Sequence, residues 1–200
     1  MRIETEADLA ALYDATPTKA STIKVARHLT PVYRAWIEAA PFCALATVGP
    51  EGLDCSPRGD LGRVTEIVDE RTLALPDRRG NNRIDSLTNI IRDPRVALMY
   101  LIPGSGTVIR VNGRAEIHAG EVCAAYTREG AAPRTVILIR IDEVYFQCAR
   151  AVLRADIWKA RPDLDALPSV GQILEEMSAG GIDGKAYDTE WPARAKTSMW

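Results

Sequence analysis

Between residues 42 and 148 short β-type runs recur at hairpin spacing, separated by turn residues and interrupted once by a helical pattern. That alternation restricts the chain to a mainly β fold. The runs lie at 42–48, 53–59, 64–69, 72–77, 96–102, 107–118 and 135–148, the last with a bend expected near Asp142 and Glu143. The interruption covers 83–92, where Ile84, Leu87, Ile90 and Ile91 fall at helical spacing before Asp93 and Pro94 stop the pattern. An open parallel sheet needs strand and helix to alternate throughout, and here they do not. A closed or partly closed antiparallel barrel is therefore expected, with the 53–59 strand beside the 72–77 strand. Residues 4–39 read as helical, with Thr30 and Pro31 as cap and first residue of a second helix. Further helices are expected at 121–127, 149–159 and 169–177, and the last twenty residues read as turn-rich. The implied organisation is an N-terminal helical segment (1–40), a barrel domain (41–148) and a C-terminal helical extension (149–200) that packs on the barrel or a dimer interface.

Composition removes several classes of function. With 200 residues, 46% of them hydrophobic and a net charge of −2, the chain can fold without staples and is not disordered. Its longest apolar runs are about seven residues, too short to span a bilayer. The acidic start lacks an apolar segment, so no signal peptide is expected. Near-neutral charge gives no reason to expect nucleic acid. Cys43, Cys55, Cys123 and Cys148 form no CxxC pair, which fits a reduced cytoplasmic chain. The two histidines, His28 and His118, are far apart, and no GxSxG elbow surrounds a serine. The chain is poorly equipped for hydrolysis with its own side chains, which points to a borrowed cofactor.

The densest chemistry lies where the 72–77 strand meets the inserted helix. Pro76 and Asp77 are followed by Arg78, Arg79, Gly80, Asn81, Asn82 and Arg83. Three arginines beside the positive end of a helix make an anion site suited to a phosphate monoester, against the bland reading of a solvated basic loop. Ser56 and Arg58 share one face of the 53–59 strand by period two, and Pro57 marks that strand as an edge or bulge. Arg110, Asn112 and Arg114 alternate onto one face of the 107–118 strand, either as a solvated face or as a polar subunit interface.

At these residues the chain resembles the pyridoxamine 5′-phosphate oxidase-like, FMN-binding split-barrel family. The resemblance rests on FCALATVGPEGLDCSPRGD, TLALPDRRGNNRIDSLTNIIRDPRVALMYLIPG, IRVNGRAEI and APRTVILIRIDEVYFQCAR, in that order. It implies an α+β chain, mainly β with flanking helices, built as a six-stranded antiparallel split barrel. It also implies a homodimer with FMN at the subunit interface. On that resemblance Ser56, Pro57 and Arg58 contact the flavin phosphate or ribityl chain. Leu75, Pro76, Asp77 and Arg78 line the pyrimidine edge of the ring, and Arg79, Asn81, Asn82 and Arg83 hold the phosphate. Arg110 and Asn112 approach from the second subunit, and Trp158 covers the flavin. The implied activity is FMN-dependent oxidoreduction of a small-molecule substrate. Alternatives are a deazaflavin (F420) reductase on the same fold, or a flavin carrier or sensor; scarce histidine argues against haem. The Ser-Arg-Lys loop and the C-terminal Arg-x-His motif of the oxidase proper are missing, which sets pyridoxamine phosphate aside as the expected substrate.

Overall fold

The computed structural model describes residues 1–13, 16–159 and 166–199. The β-type runs become β1 (Phe42–Gly49), β2 (Gly52–Gly59), β3 (Glu66–Ile67), β4 (Thr72–Pro76), β5 (Arg95–Leu101), β6 (Val108–Ala119) and β7 (Thr135–Gln147). They form one sheet in the order β2-β1-β5-β6-β7-β4-β3, with every neighbouring pair antiparallel. Three details differ from or narrow the expectation. The sheet has seven strands rather than six, because the short β3 pairs with β4. It is also not closed, since β2 and β3 stand at its two ends without pairing to each other. Nor does β2 lie beside β4: it pairs with β1 alone, and β4 sits between β7 and β3. Pro57, which has no N–H to give a second neighbour, fits this edge position.

Period-two alternation sorts the strands into two faces. Cys43 and Leu45 on β1, Leu98 and Tyr100 on β5, Ile109 and Val111 on β6, and Ile139 and Val144 on β7 are buried in one cluster with Leu73 and Leu75 of β4. Each fully buried aliphatic side chain there contributes about 1.5–3 kcal/mol relative to exposure. The bend in β7 is a bulge. Asn112 pairs with Glu143 and Gly113 with Ile141, so Asp142 is the extra residue. Gly113 is required beside it, because a Cβ there would meet the Arg140 carbonyl oxygen at 2.3 Å.

The helical segments differ more from expectation. Residues 4–39 break into α1 (Glu6–Ala10), α2 (Lys19–Ile23) and α3 (Pro31–Glu38), while residues 14 and 15 lie outside the described residues. Thr30 caps α3 as expected, accepting from the Tyr33 N–H at 3.3 Å. The inserted helix is α4 (Asp85–Arg92), and it buries Ile90 and Ser86. Ile84 and Ile91 are exposed, so the apolar face is narrower than the spacing suggested. A 3₁₀ helix spans Gly120–Tyr126, followed later by α5 (Arg150–Ala155) and α6 (Val170–Met177). The expected turn-rich end is instead α7 (Gly184–Ser198), which runs through Pro192. Asp183 caps it, and Tyr187, Trp191 and Arg194 stack along one side, offsetting in part the hydrogen bond the proline forfeits. Residues 160–165 and 200 of the expected C-terminal extension lie outside the described residues.

Candidate functional site

β2 turns Asp54, Ser56 and Arg58 toward α4, and the hydroxyls of Ser56 and Ser86 meet at 3.0 Å. Ser86 also donates to Asp54 at 3.1 Å. These side chains form one wall of a pocket of about 680 Å³. The chain leaving β4 forms a second wall with Asp77, Arg78, Arg79, Asn81, Asn82 and Arg83, and the start of α4 continues it. Residues 131–134, just before β7, form a third. The volume lies within the range of small-molecule sites.

Charge in the pocket is unevenly paired. Its lining carries five arginines against three aspartates, an excess of two positive charges. Arg58 Nη1 donates to Asp77 Oδ1 at 2.7 Å, but its Nε is buried with no acceptor. Arg83 pairs with Asp85 at 2.8 Å. Arg79 and Arg134 form no ion pair with a described residue. Below Arg58, in register across the strands, lies Cys43. Burial pushes its thiol up to about 12, with the Arg58 charge acting weakly in the other direction.

The backbone at the helix start is strained and open. Asn82 and Ile84 occupy the left-handed region at φ 60° and 52°, and Asn81 Oδ1 takes the Arg83 N–H at 3.1 Å. For a β-branched residue such as Ile84 that region costs about 1–2 kcal/mol. Ile84 stands at the N-cap of α4, where it has no side-chain oxygen to offer, and no hydrogen bond caps the helix from a side chain. The N–H groups of the first turn are thus left beside the pocket. An orphaned buried guanidinium N–H, two unpaired arginines and an uncapped helix form a donor set that fits the phosphate of a larger polar molecule.

Of the expected site residues, Ser56, Arg58, Asp77, Arg78, Arg79, Asn81, Asn82 and Arg83 come together here. Pro57 faces the other side of β2, and Leu75 and Pro76 are buried in β4 outside the lining. Arg110 and Asn112 lie on the sheet face away from the main core. There the Arg110 guanidinium sits 5.3 Å from the Tyr145 ring centre, and Asn112 donates to Glu143 at 2.6 Å. Trp158 donates to the Ser105 carbonyl at 2.7 Å, also outside the pocket. Asp54, Ser86 and Arg134 were not singled out beforehand. Ser86 and Asp54 could have been found from their positions facing the helix start. Arg134 carries no local signal, since only the pairing of β7 with β4 brings it in.

The fold is thus an antiparallel sheet with flanking helices, and it sets an arginine-rich pocket at a helix N-terminus. The family described as pyridoxamine 5′-phosphate oxidase matches residues 29–148, and the chain belongs to that family. Among solved structures, a putative pyridoxamine 5′-phosphate oxidase from Lactobacillus delbrueckii is 24% identical. Its match covers 60% of this chain and 95% of that one, with a TM-score of 0.49. HupZ from Group A Streptococcus is 17% identical, covering 60% and 94% at a TM-score of 0.49. A protein described as an F420 reductase is 20% identical, covering 58% and 98% at 0.45. The chain has no match among the curated proteins. No helix among the described residues is long and apolar enough to cross a membrane.

Proposed function

We propose that the pocket holds FMN and that the protein is a cytoplasmic FMN-dependent oxidoreductase acting on a small-molecule substrate. The observation that carries this reading is the buried Arg58 Nε, which has no acceptor in a pocket already rich in positive charge. Arg79, Arg83, Asn81, Asn82 and the first N–H groups of α4 would take the phosphate. Arg58 and Ser56 would take the phosphate or ribityl oxygens, and the backbone at 75–78, not the Arg78 side chain, would meet the ring edge. When bound, FMN supplies hydride or electron transfer at its ring. The chain's own groups bind and orient it, which fits the shortage of histidine and of an activated nucleophile.

The assembly is proposed as a homodimer with the flavin between subunits. Support comes from the sheet face away from the core, which exposes Leu53 on β2 and, beside Arg110, Met99 on β5. Arg110 and Asn112 lie outside their own pocket, so only a second copy could bring them to a flavin. Trp158 and the C-terminal extension would complete the cover.

The test is the visible spectrum of the purified protein, followed by titration with FMN. A flavin band, or saturable quenching of FMN fluorescence, is expected. A colourless protein that leaves FMN fluorescence unchanged would sink the reading. Because the pocket recognises phosphate before ring, the mass of any released ligand separates FMN from a deazaflavin. Oxidation of NADH or NADPH followed by turnover with an acceptor separates an enzyme from a carrier.

A further inference from the structure

Asp60 follows β2 directly, and its side chain is only 3% exposed. A carboxylate that deep needs partners, because leaving it unpaired costs several kcal/mol. Its partners come from three directions. Its own neighbour, the Leu61 N–H, donates to Oδ1 at 2.7 Å. Arg78 Nε and Nη2 both reach Oδ2 at 2.8 Å. Arg128 Nε lies 3.6 Å from Oδ1. The remaining arm of Arg78 donates to the Tyr126 carbonyl at 2.7 Å, so the guanidinium is committed to the protein on both sides.

Arg128 is itself held tightly. It exchanges both backbone hydrogen bonds with Ala131, across Glu129 and Gly130 at φ 49° and 78°. Two consecutive positive φ values belong to a two-residue turn of the I′ type. That turn fixes Arg128 to the first residue of the 131–134 wall, which ends in Arg134. The backbone ladder between the two walls ends where the Asp77 N–H meets the Thr135 carbonyl at 3.0 Å. Beyond that point, among the described residues, the walls are tied through Asp60, Arg78, Tyr126 and Arg128.

We infer that Asp60 is a positioning residue that sets the separation of the 78–83 and 131–134 walls, and that Arg78 is its strut rather than a ligand contact. Arg79 and Arg134, which form no ion pair with a described residue, are then presented to the ligand at a fixed spacing without touching Asp60. The inference rests on the anion-binding reading of the pocket, with the flavin phosphate as the ligand served.

The experiment compares wild type, Asp60→Asn and Arg128→Gln in titrations with FMN, riboflavin and inorganic pyrophosphate, each with a thermal melt. Asp60→Asn keeps the side-chain shape and removes the charge. It is expected to weaken FMN and pyrophosphate binding by about tenfold while leaving riboflavin within about twofold. Arg128→Gln, at a partly exposed site, is expected to move the same ratio less, and it serves if Asp60→Asn does not fold. A lowered melting temperature with an unchanged FMN-to-riboflavin ratio in the folded variants would overturn the inference and leave Asp60 purely structural. Wild type that binds pyrophosphate but no FMN refutes the flavin reading alone, and the variants then decide on pyrophosphate. Wild type that binds none of the three overturns both.

Discussion

Cys43 and Arg58 face each other across β1 and β2, and burial dominates the thiol. The thiol keeps its proton up to about 12 in the folded chain, against 9.0 ordinarily. The buried Tyr100 hydroxyl is raised in the same direction by loss of solvent. A raised folded value means that the unfolded chain loses its proton first. The contribution of this buried thiol is therefore full below pH 9.0 and is lost as pH rises toward about 12. Urea titrations across that range should show the loss, and Cys43→Ala should flatten it in part. Arg58, its Nε unmatched, is expected to gain more from an anion than exposed Arg83 does. Arg58→Ala should weaken FMN binding by about 1.5–3 kcal/mol and Arg83→Ala by the lower end of that range, read by fluorescence titration. Both arginines were legible in the sequence, because a period-two strand and a strand-to-helix loop place their side chains locally. Arg134 and Asp60 were not. Their roles depend on β7 meeting β4 and on a carboxylate reaching arginines 18 and 68 residues further along the chain.

At the scale of elements, turn chemistry carried the reading. Each of the seven β-type runs contains a strand, although β3 keeps only Glu66–Ile67 of the expected 64–69, and the bend expected near Asp142 is the bulge. Pairing partners were less legible. The expected pairing of β2 with β4 fails, because hairpin signals fix neighbours in sequence and not neighbours across a sheet; the ends of the two strands are linked instead by the Arg58–Asp77 and Asp60–Arg78 ion pairs. The helical end was also hidden: α7 runs through Pro192, and the Asp183 cap and the stacked Tyr187, Trp191 and Arg194 offset only part of that proline's penalty. Close approach makes two glycines indispensable. Gly113→Ala would force its Cβ onto the Arg140 carbonyl and should cost about 2 kcal/mol in a denaturant melt. Gly171→Ala would place a methyl 2.0 Å from the Gly184 carbonyl and should separate α6 from α7. Trp191 fluorescence would report that separation while the sheet's melt stays unchanged.

For the whole molecule, the exposed apolar side chains mark where more protein is expected. Leu53 is 83% exposed and Met99 42%, on a sheet face that a homodimer would cover. Val170, Ile173 and Met177 make a second exposed row on α6, whose main packing partner in this chain is α7. Sedimentation should give twice the chain mass, and Leu53→Glu with Met99→Glu should return it to a single chain and weaken FMN binding at the same time. A double variant that stays dimeric would move the interface elsewhere. The bulge has its own consequence for how such a chain can vary. Losing the codon for Asp142 would turn the β6–β7 ladder regular and leave Ile141 and Val144 facing the core. Losing the codon for Arg140 instead would slide Asp142 opposite Gly113, into the interior. With the bulge gone, the Arg140 carbonyl no longer crowds position 113. Descendants lacking residue 142 should therefore be the ones free to carry a side chain at 113, and the two positions should drift together.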